Sequence, residues 1–161
     1  LKHNPDAHRI RSDMALLLEK LGKHDQAISE YETILQNSEA KNNAVTNNLA
    51  MMLVTYRKNN AESMKRAMEL VKTIEHLQNP AYLDTVGWVY LLNNDAERAL
   101  PLLEKAADKA PEAAVIRYHL GMAYLKKNLT SQAKMHLEKS IKSGVKFAGL
   151  EEAKAALKEI N

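Results

Sequence analysis

The sequence predicts an all-α chain, and three observations predict it. Helix formers (Ala, Leu, Glu, Lys, Met) dominate, while 161 residues include only five glycines and four prolines. Valine is sparse, and no segment alternates apolar and polar residues with the period of two that a half-buried strand needs. One set of residues also recurs at a spacing of 34: Gly87 with Gly121, Tyr90 with Tyr124, Ala99 with Ala133, and Leu103 with Leu137.

The recurring residues describe a helix hairpin. A small residue in each first helix (Ala15, Ala50, Gly87, Gly121) lets the second helix approach closely. A small residue in each second helix (Ala27, Ala67, Ala99, Ala133) does the same from the other side, and larger residues such as Tyr90 and Leu103 fill the remaining space. A lone hairpin cannot bury its apolar face, so neighbouring hairpins must stack.

The elements follow in order. Pro5 lies 22 residues before Ala27, as Pro111 lies 22 before Ala133, so residues 1–5 read as the end of a preceding repeat and the chain as part of a longer array. The first copy spans 6–41, with Gly22 in its turn. The second, 42–79, has Leu53 where later copies have tyrosine; about five extra residues around Asn59–Ser63 predict a long turn between its helices. The third, 80–112, opens with Pro80 at the first helical position. Asp95 caps its second helix. That helix contains Pro101, which predicts a mild bend and one lost hydrogen bond. The fourth, 113–146, has Thr130 as the expected cap of its second helix. In the tail, 147–161, Leu150, Ala153, Leu157 and Ile160 form one apolar stripe, suited to a helix that covers the last repeat.

Composition excludes several function classes. Twenty-three basic against twenty acidic residues, interspersed at helical spacing, give no clustered basic face for nucleic acid. The longest stretch free of charged or strongly polar residues, Leu49–Thr55, is far too short to cross a membrane, and Leu1–Ile10 lacks the apolar core of a signal peptide. Without cysteine there are no disulfides, thiol nucleophiles or cysteine-ligated metals. The six histidines (His3, His8, His24, His76, His119, His136) form no pair at metal-binding helical spacing. No phosphate-binding glycine loop occurs, and Asp84 with His119 lacks a convincing nucleophile, Ser12 and Thr85 being poor candidates. No enzyme activity, cofactor or metal is expected.

Leu/Val-Gly-x-x-Tyr at Val86 and Leu120, with Ala99, Ala133 and the closing Pro111, resembles the tetratricopeptide repeat family over roughly residues 6–143. The resemblance implies a right-handed α-α superhelix of four TPR hairpins plus a C-terminal capping helix. It also implies a concave face, lined by first helices, that binds another protein. A finer resemblance lies in Asn47-Asn-Leu-Ala, Leu83-Asp-Thr-Val-Gly-Trp, Ile116-Arg-Tyr-His-Leu and Glu152-Ala-x-x-x-Leu. These strings are similar to the C-terminal part of bacterial TPR proteins of exosortase and exopolysaccharide loci. They imply the periplasm or cell envelope, with cytoplasm as the alternative.

Repeat phase places the candidate partner-binding residues: Asn47, Asn48 and Met51 in the second copy, Asp84 and Trp88 in the third, and Tyr118, His119 and Met122 in the fourth. Leu16 and Leu125 extend the apolar file. Methionine adapts its shape and Trp or Tyr anchors interfaces, so the face suits an amphipathic helix or extended peptide. The alternative is that Trp88 and the methionines only pack between adjacent first helices. The family's carboxylate clamp for chaperone C-termini is not met: of its slots in the first three copies only Asn48 matches, and in the last three Val115 and His119 replace its basic residues. The leading expectation is a non-catalytic scaffold with a protein or peptide partner. The alternative is a structural or oligomerisation module whose groove is filled by another copy or an adjoining domain.

Overall fold

A computed structural model describes residues 5–37 and 42–160, with side chains from residue 8 onward. Leu1–Asn4, where the end of a preceding repeat and His3 were placed, lie outside the described residues, as does the expected boundary at residue 41. Nine α-helices and no strand occur among the described residues. The chain divides into two compact units, the first ending at Ile74 and the second starting at Glu75.

The first unit holds α1 (Pro5–Lys20), α2 (His24–Asn37), α3 (Asn43–Tyr56) and α4 (Ala61–Ile74). Helices α1 and α2 form one hairpin, α3 and α4 another, and α2 also packs on α3. The second unit holds α5 (Pro80–Leu92), α6 (Ala96–Lys109), α7 (Ala114–Lys126), α8 (Thr130–Lys142) and α9 (Leu150–Glu159). Here α5 pairs with α6 and α7 with α8, α6 packs on α7, and α9 lies on α8 and α7.

Small residues sit at every seam. Ala15, Ala27, Ala50, Ala67, Ala99 and Ala133 have no exposed surface. At Gly87 a Cβ would stand 2.7 Å from Leu103 Cγ, and at Gly121 one would stand 2.8 Å from Leu137 Cγ. Glycine is therefore required where the facing side chain is a buried leucine, since a packed interior cannot absorb an extra methyl at that distance.

Three hairpins close alike. The N–H groups of Lys23, Asp95 and Leu129 donate back to the carbonyls of Leu18, Tyr90 and Tyr124. This six-residue closure needs one left-handed residue, supplied by Gly22 (φ 73°), Asn94 (φ 62°) and Asn128 (φ 59°). As expected, Pro80 opens α5, and Asp95 caps α6, its carboxylate accepting from Arg98 N at 3.1 Å; Asn79 supplies the cap of α5. Helix α6 runs through Pro101.

Two local expectations are corrected. Thr130 is the first residue of α8, and Leu129 holds the cap position without a side-chain bond. The long turn of the second hairpin is not observed. It comprises residues 57–60, one residue longer than the turns at 21–23, 93–95 and 127–129. The extra spacing arose from placing only Ala67 in the small-residue slot. Ser63 is also buried, one helical turn earlier on the same face, and Asn60 caps α4 by accepting from Ser63 N at 2.8 Å.

Candidate functional site

In the first unit the inner side of α3 is polar at its start and apolar later. Asn47, Asn48 and Met51 are half-buried, and Val54 is buried. Asn48 Nδ2 donates to the Tyr31 hydroxyl of α2 at 3.4 Å, and Asn47 Nδ2 donates to Asn48 Oδ1 at 3.3 Å. Asn47 Oδ1 is buried without a hydrogen-bond partner. Leu16 of α1 is 42% exposed.

In the second unit the candidates come together. Asp84 Oδ1 of α5 lies 2.8 Å from His119 Nδ1 of α7. An ionised carboxylate only accepts, so Nδ1 carries the shared proton. Trp88 stacks on the His119 ring at 4.0 Å, and Tyr118 is tilted against both rings. All four residues are buried, from 2% exposed for Tyr118 to 7% for Trp88. This cluster is the contact between successive first helices, which matches the packing alternative for Trp88. Met122 and Leu125 remain half-buried beside it.

Tyr118 is closed off by the tail expected to cover the last repeat, through contacts that the sequence did not disclose. Its hydroxyl donates to Glu152 of α9 at 2.7 Å, and its ring meets Phe147 at 5.5 Å. Gly149 (φ 98°) passes so close that a Cβ would stand 2.4 Å from Tyr118 Cε1. Burial and the Glu152 carboxylate push the phenol well above its ordinary pKa, which keeps it a donor. The legible signal was size. Tyr118 occupies a slot filled by Asp84 and Asn47 in earlier copies, and so large a residue there needs cover.

The cluster offers little chemistry. Thr85, the neighbouring hydroxyl, donates to its own helix at the Ala81 carbonyl, 3.0 Å away. Among the described residues no three His, Asp or Glu side chains are placed to hold a metal ion.

A second histidine sets a pH dependence. Arg117 Nη1 lies 3.1 Å from His136 Nδ1, so that nitrogen must accept. Burial first, then the charges of Arg117 and Lys139, push its pKa down to about 4. The unfolded chain takes up this proton near pH 6.5, so the contribution is complete above that value and is lost as pH falls toward 4. We expect His136→Gln to remove about 2 kcal/mol of the stability difference between about pH 7 and about pH 4, read by urea unfolding at both values. An unchanged pH slope would show that His136 does not cause it.

Family models described as tetratricopeptide repeat match residues 8–41 and 90–157, together more than half of the chain. No curated protein sequence matches. Solved structures do. TTC0263, a thermophilic TPR protein of Thermus thermophilus, is 17% identical with a TM-score of 0.71, over 95% of this chain and 80% of that one. MamA from Desulfovibrio magneticus RS-1 is 16% identical with a TM-score of 0.61, over 96% and 93%. YrrB, described as a TPR protein with an unusual peptide-binding site, is 16% identical with a TM-score of 0.60, over 93% and 74%. Identities this low show the fold alone. None of these matches supports the finer resemblance to exosortase and exopolysaccharide loci. The repeated seams, the shared hairpin closure and the matched models agree: the chain is built of tetratricopeptide repeats, an all-α fold used as a protein-interaction scaffold.

Proposed function

We propose that the chain is a non-catalytic scaffold that seats a peptide or helix of a partner protein against the inner sides of the first helices within a unit, one repeat per hairpin at 6–41, 42–79, 80–112 and 113–146, with 147–161 as cap. The observation that carries this reading is the state of Met51 and Met122. They occupy the same position of α3 and α7, and both stay half-buried above a floor of hydrogen-bonded side chains. The floor is rigid: Asn48 is tied to Tyr31, and His119 to Asp84. A mobile thioether over a fixed floor adapts to an apolar side chain, while Asn47 offers hydrogen bonds to a ligand backbone. The peptide-binding site of the structurally similar YrrB supports the same use of this fold. Asp84, Trp88, Tyr118 and His119 then act as support beneath the contact surface. A place in a bacterial envelope or exopolysaccharide export assembly rests on the sequence strings alone.

The test uses peptides selected by display on the native chain. Met51→Glu should weaken peptides bound to the first unit, and Met122→Glu those bound to the second, about 10- to 100-fold, because a carboxylate would be desolvated in an apolar contact. Helix content should not change. Full affinity in both variants would refute the assignment.

A further inference from the structure

Two hairpins carry an arginine four residues before the small residue of the first helix: Arg11 before Ala15, and Arg117 before Gly121. Each reaches the residue three after the small residue of the second helix. In the first hairpin that residue is Glu30, and Arg11 Nη1 donates to its carboxylate at 2.6 Å. In the fourth it is His136, and Arg117 Nη1 lies 3.1 Å from a neutral ring nitrogen. The other contact of Arg117 is also neutral, Nε donating to the Pro111 carbonyl at 2.8 Å. The guanidinium is half-buried and held in place, yet among the described residues no carboxylate forms an ion pair with it. A cation withdrawn from water is normally paired.

Arg117 lines a cleft of about 310 Å³ between the α6–α7 loop, the start of α7 and the end of α8. Lys139 and Lys142 line it too, with Glu112 as its one carboxylate. Glu112 and Lys139 make no ion pair, and Lys142 meets Glu138, outside the cleft, only at 3.9 Å. We propose that this cleft binds a phosphoryl dianion, with Arg117 as the fixed donor and the two lysines as counter-charges. Charge favours a dianion: three cations less Glu112 leave two positive charges, and a phosphate monoester carries about −1.5 to −2 at neutral pH. A planar guanidinium fixed at Nε and Nη1 still offers Nη2, which has no acceptor among the described residues, to an oxyanion. The volume, at the lower end of small-ligand sites, leaves room for the group that carries the phosphate. This cleft is separate from the inner side that holds Met122, and it stands whether or not that side takes a peptide.

Phenyl phosphate, titrated at neutral pH into the nitrogen-15-labelled full chain with ionic strength held by sodium chloride, tests the proposal. The Nε–H of Arg117 and the amides of Glu112 and Ser143 should shift along saturable curves, half-complete near about 1 mM. Lys139→Gln alters an exposed side chain, so it should fold normally yet weaken binding about 10-fold. Lys134→Gln removes the same charge outside the cleft and should change little. A short peptide with one phosphoserine distinguishes the sources of the group. Affinity equal to that of phenyl phosphate would assign a small phosphate ester, and affinity at least about 10-fold tighter would assign a phosphorylated protein side chain. Shifts that stay linear in phosphate would overturn the proposal. So would binding indifferent to Lys139→Gln, or weakened as much by Lys134→Gln.

Discussion

Replacing Gly149 with valine is expected to destabilise the chain by about 3 kcal/mol and to loosen α9. Two effects add. The backbone at Gly149 has φ 98°, a region that β-branched residues avoid. The new Cβ would also stand 2.4 Å from Cε1 and 2.6 Å from Cζ of Tyr118. That ring cannot step aside. It is 2% exposed, lies against Trp88 and Phe147, and is held at its hydroxyl by Glu152. Gly144→Val is the control. Its φ of 70° gives similar backbone strain, but no atom lies within 4 Å of its Cβ position. Its loss should stay near about 1 kcal/mol, the strain alone. Urea unfolding measures both variants, and near-ultraviolet circular dichroism reports the Tyr118 environment. Equal losses would mean that α9 is not fastened through this contact.

Breaking the buried pair between α5 and α7 should have a comparable effect. Asp84→Ala leaves His119 with a buried, unmatched N–H, and the expected loss is about 3 kcal/mol. Replacing both partners with leucine should cost less than either single change, because no polar group is then stranded. The chain's one tryptophan stacks on His119, so its fluorescence follows the contact directly. A double-mutant cycle with no coupling between Asp84 and His119 would remove the pair from the structural core of the repeats.

Helix identity, hairpin order and the small-residue seams were legible in the sequence because each depends on local chemistry or on spacing. Ala99 and Gly87 recur with their partners at 34 residues, and Asp95 and Pro80 mark helix starts by themselves. Burial of the candidate site was less legible. Repeat phase says which side of α5 carries Asp84 and Trp88, but not how far α7 covers that side. Their burial follows from His119 and Tyr118, whose ring sizes fix the contact between successive first helices. The closure over Tyr118 depends on Gly149, a residue with no counterpart in the other repeats. The second hairpin misled for another reason: Ser63 and Ala67 are both small and lie on one helix face, so spacing alone did not choose between them.

The chain carries its own reporters for the binding surface. Its seven methionines include Met51 and Met122 on the inner side of first helices, Met64 and Met68 on α4, and Met135 on α8. Methyl-labelled methionine spectra, recorded while a display-selected peptide is added, distinguish these positions in one titration. Shifts at Met51 or Met122, with Met64, Met68 and Met135 unmoved, are the expected result. Shifts confined to the methionines of α4 and α8 would contradict partner binding on the inner side of the first helices.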